Sequence, residues 1–326
     1  MKKHNKIIIG LILVFGILAT GACSFNSKEN QAQPQNQSSN QDTPAMATQK
    51  TNWEDVEQVI GKSGQMKEGD VFYFSLPRSD LQVSLNGIQL KPAFALGSWL
   101  AFKEMNDKVM VMGDLVLTQE EVNPVMTELI RGGIEVTALH NHLMGESPDI
   151  MYMHIEGHGN PVDLAETLRK GIGKSQTPIN DDKKGDTADG QLPLNKEQLD
   201  EIFGKKGTVS NQVYKMSFPR VEEIKENGMI IPPTMGTATA INFQPTGEGK
   251  AAITGDFVLT AKEVNPVIRT LREHGIEVTA LHNHMLSEEP RLFFVHFWAN
   301  DDAEKLAKGL RKAIDKTNSK LPDMEG

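Results

Sequence analysis

The side chains best suited to chemistry in this 326-residue sequence are histidines that recur at matched positions in two parts of the chain. Each part contains a His-Asn-His triplet, a glutamate four residues after the second histidine, and a third histidine eight residues after that glutamate. Imidazole nitrogens and carboxylate oxygens are ligands for zinc and for other divalent transition metals. The pattern predicts one metal site formed by His140, His142, Glu146 and His154, and a second formed by His282, His284, Glu288 and His296.

Strand geometry explains how these side chains can meet. Residues i and i+2 of a strand share one face, so His140 and His142 point the same way if residues 134–143 form a strand. A third strand over residues 150–156 would return antiparallel to it. If the turn centres near Ser147, His140 lies directly opposite His154. We therefore expect the imidazoles of each part to converge.

Other polar residues extend the candidate site. Glu156 and His158 lie on the same strand face as His154, whereas the second copy has tryptophan and asparagine at those positions. The first copy therefore has more polar groups available for chemistry. Asp114 and Asp256, each directly after a strand glycine, are further candidates, although an aspartate there can also serve only to shape a turn.

These residues fit three kinds of function. The favoured one is binding of a divalent metal, zinc or another transition metal, or of a small polar ligand. The second is a metal-dependent enzyme, hydrolytic or oxygen-handling, in which Glu146 or Glu288 is a ligand or general base. The third is a structural protein whose histidines only form hydrogen bonds. The sequence contains no GxSxG, GxxxxGK[ST], GxGxxG or HExxH motif, so no catalytic residue is assigned.

An internal repeat organises the chain. Residues 113–148 align without a gap to residues 255–290 at an offset of 142, with 23 identities in 36 positions. We predict a first unit over residues 51–172, a Gly-, Asp- and Lys-rich linker over 173–195, and a second unit over 196–326. Whether the units share one cleft or stand apart is left open by the sequence.

Within each unit, strand and helix patterns alternate. An apolar strand over 109–117 leads into the capping box Thr118-Gln119-Glu120-Glu121, and a helix with a regular apolar stripe follows. A second helix is expected over 161–172, and a hairpin centred on Asn86-Gly87 precedes the core. The predicted fold class is α+β, with each unit a mostly antiparallel sheet that carries helices on one face, and a ferredoxin-like plan is the nearest familiar one.

The N-terminus predicts export and lipid attachment. Lys2, Lys3 and Lys6 precede an apolar stretch over residues 7–18, which is typical of a signal peptide over 1–22. Small residues lead directly to Cys23, the single cysteine and the expected site of lipidation. Residues 23–50, rich in Asn, Gln and Ser, indicate a disordered tether. We expect a cell-membrane protein, lipid-anchored at the extracytoplasmic face.

The net charge of the chain limits the kinds of binding partner that are expected. The chain has 34 basic and 43 acidic residues, a net charge of −9. Nucleic-acid binding needs a basic surface, so no nucleic-acid partner is expected. The expected partners are the membrane, through the lipid, and a small ligand or envelope component.

Four segments carry a family resemblance. The chain contains MGDLVLTQEEVNPV, GDFVLTAKEVNPV, GIEVTALHNHM and EEPRLFFVHFWAND, and these resemble the LppY/LpqO family of bacterial lipoproteins. The resemblance covers nearly the whole chain after the signal peptide and implies a secreted, membrane-tethered protein with tandem repeats. The family has no assigned activity, so the resemblance implies no catalytic residues.

Overall fold

The computed structural model describes residues 51–105, 108–179 and 192–321. The predicted signal peptide and tether, with Cys23, lie outside the described residues, as do positions 180–191 of the predicted linker. Within the described ranges, no helix is both long and apolar enough to cross a membrane.

The elements of the first repeat follow one another in this order: α1 (Trp53–Ile60), β1 (Gln65–Lys67), β2 (Val71–Pro77), β3 (Ser84–Leu85), β4 (Ile88–Gln89), α2 (Pro92–Ala95), β5 (Gly97–Met105), β6 (Lys108–Thr118), α3 (Gln119–Arg131), β7 (Glu135–His140), β8 (Ile150–Gly159) and α4 (Pro161–Ile172).

The second repeat has the same order of elements, except that a 3-10 turn at Pro233–Met235 replaces the short helix α2. The elements are α5 (Lys196–Phe203), β9 (Thr208–Ser210), β10 (Val213–Pro219), β11 (Lys225–Glu226), β12 (Met229–Ile230), β13 (Ala238–Gly247), β14 (Lys250–Thr260), α6 (Ala261–Glu273), β15 (Glu277–His282), β16 (Leu292–Asp302) and α7 (Ala303–Ile314).

Each repeat is built on a six-stranded antiparallel sheet. The strand orders are β1-β2-β5-β6-β8-β7 and β9-β10-β13-β14-β16-β15. In the chain α3 separates β6 from β7, and in the sheet β8 lies between them, which is the split β-α-β arrangement of ferredoxin-like folds. The predicted fold class, α+β with two repeated units, is confirmed.

A buried ion pair fixes the helix that follows the central strand. The Glu121 carboxylate accepts a hydrogen bond from the Thr118 backbone N–H at 2.9 Å, the reach-back bond of the predicted capping box. It also accepts bonds of 2.7 and 3.1 Å from the fully buried guanidinium of Arg78, just after β2. These contacts connect the start of α3 to the end of β2. In the second repeat, Thr260, Glu263 and Arg220 form the equivalent contacts.

The helices other than α2 cover one face of each sheet, α2 contacts β13 and β14 of the second repeat, and the other two faces pack against each other. In β8, Met153 and Ile155 belong to the helix-side core of the first repeat. The alternate residue Tyr152 belongs to a cluster that also contains Trp298 and Ala252 of the second repeat. The two repeats therefore pack face to face, and the faces that carry the histidines meet in the interior.

The register of β7 and β8 differs from the predicted one. His140 pairs with Tyr152, and His154 pairs with Ala138, so the expectation that His140 lies opposite His154 is wrong. The connection between β7 and β8 is centred on Glu146, one residue earlier than expected. A shift of two positions along β8 leaves every side chain on the same face, so the histidines still face the second repeat.

Candidate metal centre

Six histidines, three from each repeat, form one cluster between the two sheets. The three closest histidine ring pairs that cross the repeat boundary have centroids 3.7 Å apart for His140 and His282, 3.8 Å for His142 and His296, and 3.6 Å for His154 and His284. Within the first repeat, the His140 ring lies 5.1 Å from both His142 and His154. The structure therefore brings the two predicted sets together in a single place.

The imidazole nitrogens of this histidine cluster lie close enough to share an ion. Ligand atoms of His140, His142 and His154 all lie within 4.8 Å of one another. The same holds for a second group that combines His140 with three residues of the second repeat, His282, His284 and His296. His140 belongs to both groups, and its Nε2 lies 3.4 Å from Nε2 of His296. At least one group is thus a composite of both repeats.

Buried atoms without partners are concentrated in this cluster. Among the described residues, eight buried side-chain nitrogen or oxygen atoms have no hydrogen-bond partner, and six of them lie here. Leaving a buried polar atom unpaired costs about 1–3 kcal/mol, so such atoms call for an explanation. The six are Nδ1 of His140 and His282, Nε2 of His142 and His154, and Oδ1 of Asp114 and Asp256.

Burial sets the protonation of the histidines. Burial first, and then the neighbouring imidazoles, lowers the pKa of His140 to about 2, while burial lowers that of His296 to about 4. The same two causes hold the pKa of His142, His154 and His284 well below the ordinary value. These rings are therefore neutral at physiological pH, which is the form that binds metals.

Two aspartates lie beside the histidine rings. Asp256 Oδ2 is 3.4 Å from Nε2 of His284, and Asp114 Oδ1 is 3.9 Å from Nε2 of His154. Burial raises the pKa of Asp114 to about 8, and burial together with the charge of Asp114 raises that of Asp256 well above its ordinary value. Both residues lie within the central strands β6 and β14, so they do not shape turns. A cation at the cluster would favour the ionised form of both carboxyl groups and would offset their charge.

The two predicted glutamates lie in a different place. The Glu288 carboxylate accepts bonds from the Leu292 backbone N–H at 2.9 Å and from Arg291 at 3.0 Å. Glu146 in the same way accepts from backbone N–H groups, its own and that of Ile150. Both carboxylates thus close the loop before the next strand, and neither belongs to the two groups of converging ligand atoms.

Glu156 and His158 also lie outside the two groups. Glu156 is buried against the second repeat and accepts a 3.4 Å bond from Asn227, and the exposed His158 ring lies 3.7 Å from it. Burial, followed by the charges of Glu226 and Glu135, raises the pKa of Glu156 to about 7. These polar groups belong to the contact between the repeats.

Sequence reasoning missed Tyr152, Phe294 and Lys215 as neighbours of the cluster. Tyr152 stacks on His142, and Phe294 occupies the matching place against His284. A cavity of about 230 Å³ opens beside the cluster, and it is lined by Asp114, Asp256, Trp99 and Lys215 among others. The alternation of β8 and β16 places Tyr152 and Phe294 on the histidine face, but nothing in the sequence indicates the second sheet that closes the cavity.

Comparison with known proteins supports the repeat. A family model described as "Domain of Unknown Function (DUF1259)" matches residues 54–174 and again residues 197–316. The chain belongs to this family. No curated protein matches the chain. Among solved structures, the trimeric bacterial microcompartment shell protein PduB aligns over 77% of this chain and 88% of that chain, at 10% identity and a TM-score of 0.22. A likeness at that level carries no argument about fold or function.

Proposed function

We propose that this protein binds a divalent transition metal between its two repeats and acts as a lipid-anchored extracytoplasmic protein of the LppY/LpqO kind. The metal site is one composite centre, built by His140, His142 and His154 together with His282, His284 and His296. Zinc is the first candidate, because neutral imidazoles bind it at about 2.0–2.1 Å; iron, manganese, nickel and copper suit the same donors.

The unpaired nitrogens of the buried, neutral histidines support this proposal most strongly. If the histidines were only hydrogen-bonded filler, their nitrogens would have polar partners, as buried groups almost always do. Instead, four imidazole nitrogens in the interior have none. A bound cation would accept these lone pairs and would also compensate Asp114 and Asp256.

A metal-dependent enzyme is the second candidate. The cavity beside the cluster favours it, because His142, His154 and His284 contribute to the cavity wall. A catalytic centre keeps a coordination position open to its substrate, whereas a structural one is closed by protein ligands.

Elemental analysis tests the metal proposal. We expect the full chain, purified from membranes in detergent through a histidine-free tag, to retain near-stoichiometric metal. His140→Ala should lose it, since His140 belongs to both groups. His158→Ala is the matched control, because that histidine is exposed and lies outside the groups.

Absence of metal in the wild-type chain after growth with ample zinc, copper, iron and manganese would refute the proposal. Full metal content in a folded His140→Ala chain would refute the assignment of the centre to this cluster.

A further inference from the structure

The cavity beside the histidine cluster exists because the two repeats differ at two matched positions. Trp99 pairs with Asp114 across β5 and β6, and the equivalent residue beside Asp256 is Ala240. In the same way, Tyr73 of β2 corresponds to Lys215 of β10. The second repeat thus has a small residue and a cation where the first has two aromatic rings. The repeat symmetry is broken at the cavity.

Trp99 forms a fixed flat wall of this cavity. Its ring stacks on Tyr73 with centroids 6.0 Å apart and an interplanar angle of 12°. Its other neighbour is Gly236, where an added Cβ would lie only 3.2 Å from the indole ring. Gly236 also has φ +88°, which favours glycine. Tyr73 and Gly236 together fix the position of the indole, and the part of it that lines the cavity is a preformed apolar surface for a ligand.

Lys215 is the cation without a partner at this site. It is half-buried and lines the cavity, and among the described residues its ammonium group has no hydrogen-bond or ion-pair partner. Burial and then the nearby charge of Lys67 lower its pKa. A divalent ion at the cluster would balance the negative charges of Asp114 and Asp256. These carboxylates would then not neutralise the positive charge of Lys215.

We propose that the cavity binds a small organic monoanion of the carboxylate class, with the carboxylate at Lys215 and the apolar body against Trp99. The proposal rests on the metal-binding function, because the metal offsets the two aspartates. A cavity of about 230 Å³ is smaller than the roughly 300–1,000 Å³ of typical drug-sized ligand pockets, which limits the ligand to a small molecule.

Calorimetric titration of the zinc-loaded full chain with benzoate, and with benzamide as its neutral analogue, tests the proposal. We expect benzoate to bind at least about tenfold more tightly than benzamide, because the ion pair with Lys215 is lost in the amide. Lys215→Met should lose benzoate affinity by a similar factor. Lys170→Met, the same change on the exposed surface of α4, should not alter it.

A second variant tests the volume without changing charge. Ala240→Leu fills the cavity opposite Trp99 and should abolish benzoate binding while the zinc content is unchanged. Equal binding of benzoate and benzamide, no binding of benzoate at millimolar concentration, or wild-type affinity in Lys215→Met would each overturn the proposal.

Zinc measured on the same samples separates the two proposals. A chain that holds zinc but does not bind benzoate contradicts the anion site alone. A chain that holds no zinc contradicts the metal centre and, with it, the compensation of Asp114 and Asp256 on which the anion site rests.

Discussion

Metal removal should destabilise the whole folded chain, because the metal-free state leaves four imidazole nitrogens buried without partners. A ligand that binds only the folded state, present at one hundred times its dissociation constant, stabilises that state by about 2.7 kcal/mol. For a folded body of this size, that free energy corresponds to a rise of about 5–10 °C in melting temperature. The expected shift is therefore large enough for ordinary calorimetry or dye-based melting.

The assay compares the melting temperature of the full chain in the presence of zinc with its melting temperature in the presence of a chelator, at one fixed protein concentration. The wild-type protein and His158→Ala should show the shift. His282→Ala should lose it even though all three histidines of the first repeat remain, and His140→Ala should lose it even though those of the second remain. If instead each repeat held its own metal, either variant would keep part of the shift. An undiminished shift in both variants, or none in the wild type, would refute the composite centre.

Three further outcomes follow from the fold and the N-terminus. Glu263→Gln should lower the free energy of unfolding by about 1.5–3 kcal/mol in urea titrations, because it removes the charged partner of two bonds from the buried Arg220, which keeps only its pair with Glu222; an effect below about 1 kcal/mol would contradict that role. Burial opposes ionisation of Glu263, but bonds from Arg220 and from two backbone N–H groups lower its pKa overall. Its contribution is therefore present at neutral pH and should fade as the pH falls through the lowered pKa. Gly255→Ala should abolish stable folding as followed by circular dichroism, since the added Cβ would lie 1.9 Å from the carbonyl oxygen of Ala240, and wild-type melting would contradict this. Cys23→Ser should move the chain from the membrane fraction to the soluble fraction after cell lysis, and retention in the membrane would argue against lipid anchoring.

Local signals in the sequence predicted much of the fold. The capping box at Thr118 and Glu121 fixed the start of a helix because it involves only neighbouring residues. The hairpin at Asn86-Gly87 was found for the same reason, since both residues have the positive φ angles that such a turn needs. Strand alternation also placed the histidines on the face away from the helices.

The sequence could not predict that both repeats contribute histidines to one site. Ring pairs such as His140 with His282 depend on two sheets packing together. Contacts between residues so far apart along the chain produce no periodic pattern in the sequence. The register was missed because the loop around Glu146 is held by backbone bonds to its carboxylate, which spacing alone does not reveal. The regular His-to-Glu spacing suggested a ligand where the structure has a loop-closing carboxylate.

A crystal structure of the zinc-loaded full chain, with anomalous differences measured at the zinc edge, tests the central claim most directly. The account predicts zinc in the interior between the two sheets, bound by His140 and by histidines of the second repeat. Zinc bound by histidines of one repeat alone, or the absence of any zinc peak among the six rings, would contradict it.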